Sequence, residues 1–226
     1  MCESRQQKPS QNVTLRDLEE VLSGERIGRY LRASGHDNNL ALRLYLWNTK
    51  LGEAFFSPLQ AVEVALRNRV STVFANVYGA EWWRNVLFLE HVGEKGRQNI
   101  EEVRRRLRQN RKPIETGRIV ADLSFGFWMN ALNGRFNPTV WSSHLGEAFP
   151  NLPRGMTRDA VQRHVRKVSD LRNRVFHHEP IFDEDVSLHY SRCVELLKWL
   201  SPEKTAWVKP NFRVPAVLRE KPRRSG

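Results

Sequence analysis

The chain has 226 residues, 40% of them hydrophobic, which is enough for one sizeable core. Its net charge of +12 selects polyanionic partners, either nucleic acid or an acidic membrane surface. Cys2 and Cys193 lie too far apart for a metal-ligand spacing or a disulfide framework, and no apolar run approaches the roughly 20 residues that span a bilayer.

Residues 1–12 are polar, without the apolar core of a secretory signal, and are expected to be disordered; a soluble cytoplasmic protein is predicted. A single helical domain is expected over 13–200. Thr14 can cap a first helix, with Asp17 three residues on and Leu15, Leu18, Val21 and Leu22 along one face. Leu40, Leu44, Trp47 and Leu51 form a second stripe. Pro58 is placed to start a further helix carrying Leu59, Val62, Leu66, Val70, Val73, Phe74 and Val77, and Gly79 fits its stop.

Residues 94–112 read as a strongly charged helix with a thin seam of Ile100, Val103 and Leu107. Residues 117–133 are apolar almost all round and predict one central buried helix, so Phe125, Phe127 and Trp128 are expected in the core. Turn signals at Asn133-Gly134 and Asn137-Pro138 precede a short helix over 140–149. Thr157 can cap the next helix, which buries Val161, Val165, Val168 and Leu171 and is bounded by Pro180. A last helix is expected over 184–200. Residues 201–226, with four prolines and several Lys and Arg, read as a loosely attached basic tail. The fold class is all-α, a bundle with additional packing helices.

Chemistry concentrates in Leu171-Arg172-Asn173-Arg174-Val175-Phe176-His177-His178-Glu179-Pro180. Arg supplies a phosphate clamp, and imidazole, with an unperturbed pKa of about 6.5, takes and gives protons near neutrality. Helical spacing puts Asn173 and His177 on one face, and the long Arg172 side chain can reach a group held by the imidazole. Upstream, Glu63 and Arg67 stand at i,i+4 beside Asn68, as a structural ion pair or as support for the same site. Arg67-Asn68-Arg69-Val70 also echoes Arg172-Asn173-Arg174-Val175.

Two basic sets could contact an RNA backbone: Arg158, Arg163, Arg166, Lys167 and Arg174 on the motif helix, and Arg104 to Lys112, for which a solvated face is an equal reading. Glu101-Glu102-Val103-Arg104-Arg105-Arg106 matches the E-E-x-x-x-R pattern of membrane proteases. In a chain without a spanning segment it is assigned to surface charge pairing. Adjacent histidines point apart on a helix, and no Cys/His cluster has ligand spacing, so no metal and no cofactor is expected.

The chain resembles the Abi-like family, a branch of the HEPN superfamily. The matching pieces run in family order over about residues 15–200. They are Tyr45-x-Trp47-Asn48, Leu59-Gln60-x-x-Glu63-Val64-Ala65-Leu66-Arg67-Asn68, Tyr78-Gly79 with Trp82, the segment from Gly117-Arg118-Ile119 to Phe127-Trp128, and Leu171-Arg172-Asn173-Arg174-x-x-His177-His178-Glu179-Pro180-Ile181-Phe182. The resemblance implies a HEPN-like helical bundle and a metal-independent endoribonuclease that acts on RNA in abortive phage defence or as a toxin. It also implies a homodimer whose two R-x(4–6)-H motifs face each other. The motif carries onto Arg172, Asn173 and His177, with His178 also at a permitted spacing and His177 favoured. An antitoxin or a regulatory RNA is a possible further partner. The alternative is a non-catalytic RNA-binding module or a dimeric interaction protein of the same fold.

Overall fold

The first helix, α1 (Leu15–Leu22), begins at the expected capping box: the Thr14 hydroxyl accepts from Asp17 N while Asp17 Oδ2 accepts from Thr14 N at 2.8 Å. The computed structural model describes residues 14–223, and among these the chain is all-α, with no strand. The segment 1–12, expected to be disordered, lies outside the described residues. A second helix, α2 (Gly24–Ser34), has no counterpart in the sequence reading; it buries Ile27 and Tyr30 and ends at left-handed Gly35.

The central element is α3 (Asn38–Tyr78), 41 residues and therefore about 60 Å long. Here the expectation of a new helix at Pro58 is corrected, because the helix runs straight through the proline. A mid-helix proline costs about 3 kcal/mol. Leu51, Phe55, Leu59, Val62 and Leu66 are all fully buried across it, so a single continuous apolar stripe outweighs the missing hydrogen bond. Gly79, at φ 94, ends the helix as predicted.

After one tight turn over Trp82–Arg84, α4 (Val86–Gln109) follows, broken internally at Gly93 (φ 71), so its second half is the predicted charged helix. The single helix expected over 117–133 is instead two, α5 (Thr116–Asp122) and α6 (Phe125–Asn130). Leu123 and Ser124 turn extended between them, and the Ser124 hydroxyl caps α6 by accepting from Phe127 N at 3.3 Å. Phe125, Phe127 and Trp128 are buried as expected. Short turns over 134–141 lead to α7 (Ser142–Ala148), then α8 (Arg158–Phe176) and α9 (Val186–Leu200).

Over residues 201–223 the tail is not loose. It forms α10 (Pro202–Val208) and α11 (Val214–Arg219), and Phe212, Val214 and Val217 are buried. The Trp47 indole donates to Val217 O at 2.7 Å, which ties α11 to α3. The core is built round α3, against which α2, α7, α8, α9 and α11 pack. At one end Phe74 meets Trp82, Phe88 and Phe136 with ring centroids 5.0–5.4 Å apart. No described helix is long and apolar enough to cross a membrane.

Candidate functional site

Thr157 caps α8 as predicted, its hydroxyl accepting from Ala160 N, and Val161, Val165, Val168 and Leu171 fix the helix against the core. The opposite end is where the motif lies. His177 is the cap residue and His178 adopts a left-handed φ of 58. His178 N donates to Val175 O at 3.1 Å and Glu179 N to Arg174 O at 2.8 Å. That is a Schellman closure with histidine where glycine is usual. The hydrophobic contact that normally accompanies it is replaced by an ion pair, Arg174 Nε to Glu179 Oε2 at 3.6 Å.

Arg172 crosses from α8 to α3. Its Nε lies 3.6 Å from Glu63 Oε2, with the two side chains 27% and 22% exposed. Its guanidinium carbon sits 4.3 Å from the Phe176 ring centroid, one turn on. The Nε is shielded from solvent yet makes no hydrogen bond, so the guanidinium is held by charge and stacking and keeps donors unspent. Glu63 therefore serves Arg172. Arg67 instead donates to Ala121 O at 3.3 Å, and its own Nε is likewise buried without a partner. Asn68 is exposed beside it.

The echo between the two Arg-Asn-Arg-Val segments has a structural meaning at its second arginine. Arg69 Nε donates to Leu200 O at 3.1 Å, at the end of α9, and Arg174 Nη2 donates to Pro180 O at 2.6 Å. Both fix backbone just beyond or at a helix end through a carbonyl contact. Arg174 also pairs with Glu184, whose other oxygen meets His189 Nε2 at 2.6 Å. Arg174, expected as an RNA contact, is thus engaged in holding the loop after the motif. Arg158, also expected as an RNA contact, is 13% exposed, donates to Leu132 O and Gln162 Oε1, and pairs with Asp159.

Arg163, Arg166 and Lys167 are exposed and make no ion pair among the described residues. Arg166, Asp170, Asn173 and His177 lie along one exposed stripe of α8, so one of these cations, Arg166, shares a helix face with the motif. In the other basic set, Glu101 takes Arg104 at 2.5 Å and Arg108 at 2.9 Å, so this segment is partly internally neutralised, as the charge-pairing assignment expects.

The two histidines face different surroundings. His177 continues the exposed α8 stripe. His178 lines a cleft of about 570 Å³ between α2, α3 and the end of α8, with Arg26, Tyr45, Gly52, Phe56 and Phe176 among the walls. Arg26 donates to His178 O and holds the turn. Asn48 Oδ1 accepts from Ile181 N at 2.8 Å, which gives the Tyr45-x-Trp47-Asn48 piece a concrete task beside the motif. Sequence reasoning missed Arg26, Glu53 and Phe56: α2 was not read as an element, and nothing in periodicity separates a cleft wall from a solvated face. The glycine at position 52, inside a long helix, was the one available signal. Among the described residues no group of three His, Cys, Asp or Glu is disposed to hold a metal ion. Comparisons with protein-family models, with curated proteins and with solved structures return no match to this chain.

Proposed function

We propose that this chain is a metal-independent endoribonuclease of the Abi-like branch of the HEPN superfamily, working as a homodimer in abortive phage defence or as a toxin. The observation that carries the reading is the Arg172 guanidinium. It is anchored by Glu63 and Phe176 with donors to spare, at a helix end that also presents two imidazoles, on a helix that carries the exposed cations Arg163, Arg166 and Lys167. A fixed guanidinium beside exposed imidazoles is suited to in-line transfer at a phosphodiester.

One imidazole takes the proton of a ribose 2′-OH, whose oxygen attacks the adjacent phosphorus. Arg172 neutralises the charge that builds on the phosphoryl oxygens. As the P–O5′ bond breaks, an imidazole of the second copy gives a proton to the 5′ oxygen. The products are a 2′,3′-cyclic phosphate and a 5′-OH, and DNA, which lacks the nucleophile, is not cut.

Purified protein incubated with total RNA in EDTA is expected to shorten it and leave 2′,3′-cyclic phosphate ends. Arg172→Ala and the double variant His177→Ala/His178→Ala are expected to lose at least about 100-fold in rate. Full activity in the double variant overturns the scheme. The alternative, a non-catalytic RNA-binding module, is favoured by one feature: among the described residues neither the His177 nor the His178 ring has a hydrogen-bond partner to orient it, as acid–base histidines usually have. Salt-dependent RNA binding that is unaccompanied by cleavage selects that alternative.

A further inference from the structure

We propose that the cleft beside the motif is a guanine-binding subsite for the nucleotide flanking the scissile phosphate; this rests on the ribonuclease reading above. The first support is position. Phe176 is shared: Arg172 stacks on it at 4.3 Å, and the same residue forms a wall of the cleft. A phosphate at Arg172 and a base in the cleft are thus separated by one aromatic ring. The cleft volume of about 570 Å³ is within the range of small-ligand sites.

The second support is chemistry. Phe56 and Phe176 are 56% and 41% exposed with ring centroids 6.0 Å apart, a pair of apolar faces left open on a strongly charged protein. Unstacked RNA bases are taken up on such aromatics and read along their Watson–Crick edges. Glu53 lines the same cleft and has no ion pair among the described residues, although the protein carries a net charge of +12. A carboxylate is an acceptor only. Among the four RNA bases, guanine alone offers two adjacent donors, N1–H and the N2 amino group, to such a pair of oxygens. Asn48 also lines the cleft, and because its Oδ1 is used by Ile181 N, its amide is left to donate to a base acceptor.

The third support is Gly52. It sits mid-helix in α3, where alanine would favour the helix, and its φ is not positive. A Cβ built there meets only Val175 Cγ1, at 4.0 Å. Neither backbone geometry nor crowding calls for glycine here. Its effect is to keep the cleft floor open.

The test uses the whole chain and four probes: GMP, AMP, CMP and UMP, titrated by calorimetry or by NMR of the Phe56 and Phe176 rings. GMP is expected to bind at least tenfold more tightly than the other three. Gly52→Leu is expected to lose GMP binding at least tenfold while its thermal midpoint stays at or above that of the parent chain. Glu53→Ala is expected to lose the preference for GMP. Equal binding of all four nucleotides, no binding of GMP, or undiminished binding by Gly52→Leu overturns the subsite. So does a Phe56→Ala variant that changes only the sedimentation of the protein, since the cleft then seats a second copy. The two readings part cleanly: GMP binding without RNA cleavage removes the ribonuclease and keeps the cleft, whereas cleavage without GMP binding does the reverse.

Discussion

At Arg174 the guanidinium bridges to Glu184, and Glu184 in turn meets His189 Nε2 at 2.6 Å. Burial first, then the positive charges of Arg192 and Arg174, hold the His189 pKa below its ordinary 6.5, with Lys167 adding to them and Asp185 opposing. The neutral ring therefore donates its Nε2–H to Glu184, and its Nδ1 is buried without a partner. A histidine whose folded pKa is depressed leaves the unfolded chain as the better proton binder. Its contribution to stability is complete above about pH 6.5 and is lost as pH falls below that value towards the folded pKa. The urea midpoint is expected to drop between about pH 7.5 and about pH 5.5, with a shallower slope in His189→Gln, whose side chain does not titrate. Equal slopes in the two proteins would remove His189 from this account. The residue list of the motif was legible in sequence, because Arg, Asn and His within seven residues carry recognisable chemistry. The division of labour among them was not: Arg172 and Arg174 differ only in which face of α8 carries them.

Among the elements, α3 and α11 show how far packing reaches beyond local signals. Pro58 and Ser124 are both plausible helix boundaries, yet only Ser124 acts as one. The proline is flanked on both sides by fully buried residues of one stripe, whereas Ser124 has a hydroxyl that competes for a backbone N–H. In α11 the proline and basic content that reads as a tail conceals Val214 and Val217, which are buried against the bundle. Truncation after Asn211 leaves the Trp47 indole N–H buried without its acceptor and exposes its apolar neighbours. The expected loss is at least about 3 kcal/mol, read as a lower urea midpoint or as insolubility. A truncated chain as stable as the full one would return α11 to the status of an appendage.

Over the whole molecule, the charge of +12 is distributed unevenly in function. Arg158 and Arg174 are spent on folding and Arg104 and Arg108 on Glu101, while Arg163, Arg166 and Lys167 remain exposed without ion pairs among the described residues. RNA affinity is expected to fall steeply with salt. Replacing these three cations by alanine is expected to flatten the log–log slope by about 2, at about 0.7 per released counterion on a single strand. The measurement is a binding titration at several salt concentrations, and an unchanged slope places the RNA elsewhere on the surface. Arg158→Ala, by contrast, belongs to the stability of the α6–α8 junction, because its donors are already taken.

The helical class, the caps at Thr14 and Thr157, the stop at Gly79 and the buried stripes were all contained in the order of residues, since each depends on neighbours within one or two turns. So was the grouping of a guanidinium, an amide and two imidazoles within residues 172–178. The pairing of Glu63 with Arg172, the docking of α11 under Trp47, and the opening of a cleft between α2, α3 and α8 depend on segments more than 100 residues apart. Periodicity assigns a residue to a face of its own helix, but only the packing of distant helices decides whether that face meets solvent, a carbonyl or an opposing charge.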